Sequence, residues 1–217
     1  MNRFSTILTI AFFCFSFFGL ADSPLTSTPF WMAYEDVKEV KYAKENGLDK
    51  KVLKQLTGKK LSCDVKLAMI NCFGWGSGYT STFEDYLIEN RKGLTREVFK
   101  YLKEESDDMP EENEQTKLLT TDDLVCWAYL RAMDNYDMPY YSMRGAFVAY
   151  WRDQKNMSAG VVWCLIVSQM ALMGDWCKIW ESSQQFIIEA EYESNLFRDE
   201  AVTIIMEYMS LYEQDCE

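Results

Sequence analysis

The chain has 217 residues, with 34 acidic side chains against 22 basic ones, a net charge of −12 and no histidine. An acidic chain without a basic cluster repels nucleic acid and anionic membrane surfaces, and it favours cations or basic partners. The missing histidine excludes Ser-His-Asp and Cys-His catalysis, HExxH zinc proteases and His-ligated haem.

Residues 1–21 read MNRFSTILTIAFFCFSFFGLA. One basic residue, Arg3, precedes a run of about fifteen mostly apolar residues, and Gly19 and Ala21 are small, as a cleavage site requires. The pattern predicts a secretory signal peptide cut after Ala21, and hence a secreted or periplasmic protein. No other segment has the ~18 consecutive apolar residues of a membrane span. Removal of residues 1–21, whose single charge is Arg3, takes the net charge from −12 to −13. Residues 22–217 are then long enough for a single domain with its own core.

Helix punctuation recurs along the remaining chain. Ser27-Thr28-Pro29 opens a predicted helix over about 29–45, striped by Phe30, Tyr34, Val37 and Val40 and ended by Gly47. Asp49 opens a short helix closed by Gly58. Ser62 opens another, in which Val65, Ala68, Met69, Cys72 and Phe73 follow helical spacing and not strand alternation.

Three glycines, Gly74, Gly76 and Gly78, then fall within five residues. A dinucleotide-binding fingerprint needs a strand before its glycines, and a P-loop needs a following Gly-Lys-Ser/Thr. Neither is present, so the segment reads as a turn between two helices. Ser81-Thr82-Phe83-Glu84 resembles a capping box for the second of them. Trp75 and Tyr79, carried on the turn, are candidate partner-binding residues, since exposed loop aromatics make good anchors.

GLDKKVLKQL (Gly47 to Leu56) aligns without gaps on GLTREVFKYL (Gly93 to Leu102), and a strongly apolar helix follows each copy. The acidic stretch over about 105–117 reads as a solvated loop. It lacks the alternating oxygen ligands and the glycine of a calcium loop, and no metal or cofactor site is predicted in the chain. From Thr120 or Thr121, a helix is striped by Val125, Ala128, Tyr129, Ala132, Met133 and Tyr136. The next carries Met143, Phe147, Tyr150 and Trp151, aromatics expected to be mostly core, while Tyr140 and Tyr141 after Pro139 are the further candidate contact residues. Ser158 opens a helix apolar on all sides, the expected centre of the core. Two more helices follow over about 175–191 and 195–213, the last striped by Phe197, Ala201, Ile204, Ile205, Tyr208 and Tyr212. The prediction is an all-α fold of about nine or ten helices, arranged as antiparallel hairpins.

Cys63, Cys72, Cys126, Cys164, Cys177 and Cys216 remain after the signal peptide. Cys63 and Cys72 lie on opposite faces of one predicted helix and cannot bond each other there. Cys126 and Cys164 sit in apolar runs, where a thiol packs as a small hydrophobe. One or two disulfides are expected, with their pairing open. No cysteine has a base placed by sequence to activate it; Lys178 is adjacent to Cys177, but neighbours on a helix do not face each other. Asn156-Met157-Ser158 is a formal glycosylation triplet.

The segment WCLIVSQMALMGDWCKIWESSQQF, Trp163 to Phe186, resembles a tetratricopeptide repeat. Trp163 and Ile166 stand where that family has an aromatic and a leucine-type residue, and Gly174-Asp175-Trp176 matches its turn. Val167, Ile179 and Phe186 depart from its small-residue positions, and its final proline is absent. The resemblance implies helical hairpins and a scaffold that binds peptides or proteins.

The functional expectation is a protein- or peptide-binding module for a basic partner, in its specific form an immunity-type inhibitor of an exported toxin or enzyme. The alternative is a carboxylate-dependent enzyme acting on glycans, for which Asp122, Asp123, Asp134 and Asp137, with Glu84 and Asp85, are the acids in question. Helix dipoles and helix ends already give most of these a structural reason to be where they are.

Overall fold

The computed structural model describes residues 23–104, 114 and 116–216. The signal peptide with its cut after Ala21, and the acidic loop apart from Glu114, Thr116 and Lys117, lie outside the described residues. Among those described, every regular element is helical, and extended backbone pairs at one isolated bridge, Asn156 with Ser194. The fold is all-α. A 3-10 turn at Phe30–Tyr34 leads into α1 (Lys38–Asn46), α2 (Lys50–Leu56), α3 (Cys63–Asn71), α4 (Tyr79–Asn90) and α5 (Arg96–Lys103). After a short 3-10 turn at Thr116–Leu118 come α6 (Thr121–Asp134), α7 (Tyr140–Arg152), α8 (Met157–Ala171) and α9 (Cys177–Ser183), the last passing into a π turn at Gln184–Ile188. The chain continues with α10 (Asp199–Met209) and a 3-10 turn at Ser210–Cys216.

The predicted first helix is therefore two pieces. Phe30, Ala33 and Tyr34 bury the 3-10 turn against α3 and α10, whereas Val40 and Ala43 bury α1 against α3. Val37, extended at φ −79° and ψ 119°, breaks the axis between them. The two aligned copies bury matching positions: Leu48, Val52, Leu53 and Leu56 in the first, Leu94, Val98, Phe99 and Leu102 in the second. Each follows a glycine with positive φ, Gly47 or Gly93, a conformation that costs other residues steric strain.

Some of the predicted caps form. Asp49 Oδ1 accepts from Val52 N at 2.8 Å, and Thr120 with Asp123 closes a full capping box on α6. Others do not, because distant residues take their place. The backbone N–H of Cys63 donates to Asn195 Oδ1 (3.1 Å) and Ser62 makes no side-chain cap. At α8 the cap is Asn156, whose Oδ1 accepts from Ala159 N. Ser158 lies inside the helix and donates to the Asn195 carbonyl at 3.2 Å. Asn156 is only 1% exposed, so the folded chain does not present its glycosylation triplet.

The core centres on α6 and α8, both apolar nearly all round, with α6 packed on α3, α4, α7 and α8. α7 corrects the sequence reading. Its core face is the small-residue row Ser142, Gly145, Ala146, Val148 and Ala149, while Met143, Phe147 and Tyr150 are half-buried and Trp151 is exposed. Small residues face inward because α7 lies directly on the Trp127 ring: a Cβ added at Gly145 would sit 2.6 Å from Trp127 Cε3. α6–α7, α7–α8 and α8–α9 pack as successive neighbours in the resulting α-bundle. The segment with the tetratricopeptide resemblance spans α8, the turn after it and α9. Cys177 and Cys216 form a disulfide, so Cys177 is no reactive thiol; Cys63, Cys72, Cys126 and Cys164 are free.

Candidate functional site

The glycine-rich turn joins α3 to α4, and its three glycines all have φ near +70°. It is held by one carboxylate. Asp134, the last residue of α6, accepts from Ser77 Oγ (3.0 Å), Gly78 N (2.8 Å), Thr80 N (2.8 Å) and Thr80 Oγ1 (2.5 Å). Gly76 N adds a bond to the Met133 carbonyl at 3.0 Å. Asp134 thus supplies the N-terminal acceptor that Gly78, at the N-cap of α4, cannot. The expected capping box fails as a result: α4 starts at Tyr79, and Glu84 points into the core.

Trp75 is exposed on this turn, at 52%, and its ring meets Tyr136 edge-on with centroids 5.0 Å apart. Tyr79 is less available. It is half-buried, edge-on to Phe73 at 5.2 Å, with its hydroxyl against Gly47. Tyr140 and Tyr141 are half-buried and pack on each other at 4.2 Å, and the Arg131 guanidinium lies 5.6 Å from the Tyr141 ring. Trp75 is therefore the one of the four sequence candidates that stands out from the surface. Trp151 and Trp176, outside that set, are also exposed.

The carboxylates considered for catalysis are mostly engaged. Lys66 Nζ meets Asp122 Oδ2 at 2.5 Å, Arg91 meets both oxygens of Asp123 at 2.9 and 3.0 Å, and Arg96 meets Asp85 at 2.8 Å. Glu84, buried, accepts from Trp127 Nε1 at 2.8 Å and pairs with Lys103 at 2.7 Å. Asp134 is consumed by the turn, and Asp137 is exposed. These are structural engagements that hold α3, α4, α5 and α6 in register.

The 3-10 turn and α10 enclose a groove of about 550 Å³ lined by Ser27, Pro29, Met32, Glu35, Glu200, Ile204, Glu207 and Tyr208. Phe30 and Tyr34 anchor the turn inward, Phe30 against Phe197 (5.2 Å) and Tyr129 (6.0 Å), which leaves Met32 half exposed over the groove. On α10, Glu200, Ile204 and Glu207 stand at i, i+4 and i+7 and so share one face. Three carboxylates rim an apolar floor. Glu35 has a distant cation, Lys44 at 4.0 Å, and no cation pairs with Glu200 or Glu207 among the described residues. A larger recess on the other side of the turn, about 720 Å³, sets Lys41 and Lys44 against Glu35, Asp36 and Glu45, so its charge is nearly balanced.

No protein family, characterised protein or solved structure matches the chain.

Arg198 fixes the two walls of the groove relative to each other. Its guanidinium donates to the Ala33 carbonyl (2.8 Å) and to both oxygens of Asp36 (2.5 and 3.2 Å), and lies 4.7 Å from the Tyr34 ring. The hydrogen bond from Arg198 holds the Asp36 carboxyl below the usual carboxylate range. Its folded value is depressed, so the contribution of the pair is present above the unfolded carboxyl pKa of ~3.9 and is lost as pH falls through the folded value. In an NMR titration, Asp36 should have a low midpoint in the wild type and return to about 3.9 in Arg198→Gln. Equal midpoints in the two proteins would show that the pair does not form in solution.

The groove was not visible in the sequence. Periodicity puts Ile204 in the core stripe of the last helix, but it lines the groove half-buried, while Ala201, Ile205 and Met209 face inward and Tyr208 borders both core and groove. The available signal was Glu200 and Glu207 flanking Ile204 at helical spacing. It identifies an acidic face with an apolar centre, and the opposing Met32 comes from the other end of the chain.

Proposed function

We propose that this is an exported binding protein that takes a basic segment of a partner protein into the groove between the 3-10 turn and α10, in the manner of an immunity-type inhibitor. The observation that carries the reading is the apolar floor of Met32, Ile204 and Pro29 rimmed by Glu35, Glu200 and Glu207. An apolar side chain of the partner is desolvated on the floor while its Lys or Arg neighbours meet the rim. The net charge, −12 for the full chain and −13 without residues 1–21, steers such a partner from a distance. The signal-peptide pattern and the tetratricopeptide resemblance support the same reading from the sequence side.

The test uses a synthetic amphipathic Leu/Lys peptide and titration calorimetry. Glu200→Lys/Glu207→Lys should weaken binding about tenfold or more, since like charges across an interface cost several kcal/mol. Glu89→Lys/Glu97→Lys changes net charge equally on exposed positions of α4 and α5 and should have a much smaller effect. Binding by the wild type should also fall between about 50 and 500 mM salt. An equal loss in both double variants would mean that net charge alone acts, and the groove assignment would fail.

A further inference from the structure

We propose that the pocket where the α2–α3 connection meets the starts of α3 and α6 binds a phosphate group, a local reversal of charge on an acidic molecule. The pocket has a volume of about 350 Å³ and draws cations from three separate segments: Lys59 and Lys60 from the connection, Lys66 from α3, and Arg91 from the end of α4. Among the described residues that line it, Asp122 is the one carboxylate. Only Lys59 and Lys60 are neighbours in the sequence, so the cluster is a product of folding. It shares no lining residue with the groove of Met32 and Ile204 and does not rest on that reading.

The donors of this pocket are not used up. Lys66 is 1% exposed, and its ammonium, with three hydrogens to donate, has one acceptor among the described residues, Asp122 Oδ2 at 2.5 Å. Arg91 makes its bonds through Nη2, to the Thr57 carbonyl (3.2 Å) and to both oxygens of Asp123 (3.0 and 2.9 Å), so Nη1 and Nε have no acceptor among the described residues. Lys59 and Lys60 are exposed and pair with no carboxylate there. Four cations against Asp122 and Asp123 thus leave two positive charges uncompensated. Ser62 makes no cap, which leaves its hydroxyl to donate, and the positive ends of the α3 and α6 dipoles both open on the pocket. Three lysines with one arginine suit a phosphate, met as a point charge, better than the planar fork that grips a carboxylate. The phosphate source is either the free ion or an ester of a small molecule.

The experiment records amide NMR spectra of the folded protein during titration with inorganic phosphate, with glycerol phosphate, and with sodium chloride at matched ionic strength. The expected result is saturable shifts at residues 59–62, 91 and 120–122 with a phosphate and no saturation with chloride. Tighter binding of the ester assigns the source to a phosphorylated small molecule; equal binding assigns it to the phosphate group alone. Lys59→Gln/Lys60→Gln should weaken binding about tenfold or more, the size of one charge-assisted hydrogen bond. Both lysines are exposed, and unchanged amide positions away from the pocket will confirm that the variant folds. Lys50→Gln/Lys51→Gln removes the same charge at the other end of α2 and should change the affinity by no more than about twofold, since salt screens distant exposed charges. The inference is overturned if the wild type shows no saturable shift with either phosphate, or if chloride reproduces the shifts. Shifts spread over the whole surface, or an equal loss in both double variants, overturn it as well.

Discussion

Trp127→Ala is expected to destabilise the fold by about 4 kcal/mol, the size seen when a fully buried tryptophan leaves a cavity. Trp127 has no exposed surface and sits between α4, α5 and α7: its Nε1 donates to Glu84, its ring lies 6.1 Å from Phe99, and α7 crosses over it at Gly145. The truncation removes apolar burial and one of the hydrogen bonds to a buried carboxylate, leaving Lys103 to hold Glu84. A second substitution makes the claim specific. Gly145→Ala alone should cost about 2 kcal/mol, because its new methyl meets a ring that cannot move away. In the Trp127→Ala background the same change should stabilise by about 1 kcal/mol, since the clash is gone and alanine favours the helix. Urea denaturation of the four proteins measures the coupling directly. Additive effects would mean that the ring does not rest on Gly145.

Asp134→Ala is the second large effect, expected at about 3 kcal/mol from loss of a helix cap and of several hydrogen bonds to a charged acceptor. Its signature is local as well as global. Amide exchange should accelerate at Gly78 and Thr80, whose N–H groups lose their acceptor, and tryptophan fluorescence should report release of Trp75 from Tyr136. Asp134→Asn keeps the shape and one acceptor oxygen, so it should recover about half of the loss. An Asp134→Ala protein with wild-type exchange at both amides would show that the turn holds itself. The substitution also bears on the glycan-hydrolase alternative, since Asp134 was one of its candidate acids and here serves the turn.

Much of the fold could be read from local chemistry. Glycines with positive φ at 47 and 93, the Asp49 cap and the Thr120–Asp123 box all act within a few residues of themselves, and they mark helix ends where expected. The repeat between 47–56 and 93–102 carries through to matched burial. What failed depends on residues remote in sequence. Ser62 and Ser158 looked like caps, but Asn195, itself at φ 48°, takes up both groups. Ser81 and Glu84 looked like a box until Asp134 claimed the helix start and Trp127 with Lys103 claimed the glutamate. α7 inverts its expected orientation for a related reason. Its aromatic periodicity suggests a core face, yet the Trp127 ring on the neighbouring helix leaves room at Gly145 for only a small residue. Of the candidate contact residues, exposure could be judged for Trp75 because the glycine turn projects it. Tyr79, Tyr140 and Tyr141 find ring partners that the sequence did not indicate.

Arg198 joins the Phe30–Tyr34 turn to α10 through the Ala33 carbonyl, 165 positions away in sequence. Neither wall of the groove is continuous with the other along the chain, so the groove exists only once these two remote segments have closed on each other. Its shape is therefore a readout of long-range closure: a change that frees Arg198 from Ala33 and Asp36 alters the groove while leaving α6 and α8 packed in the core.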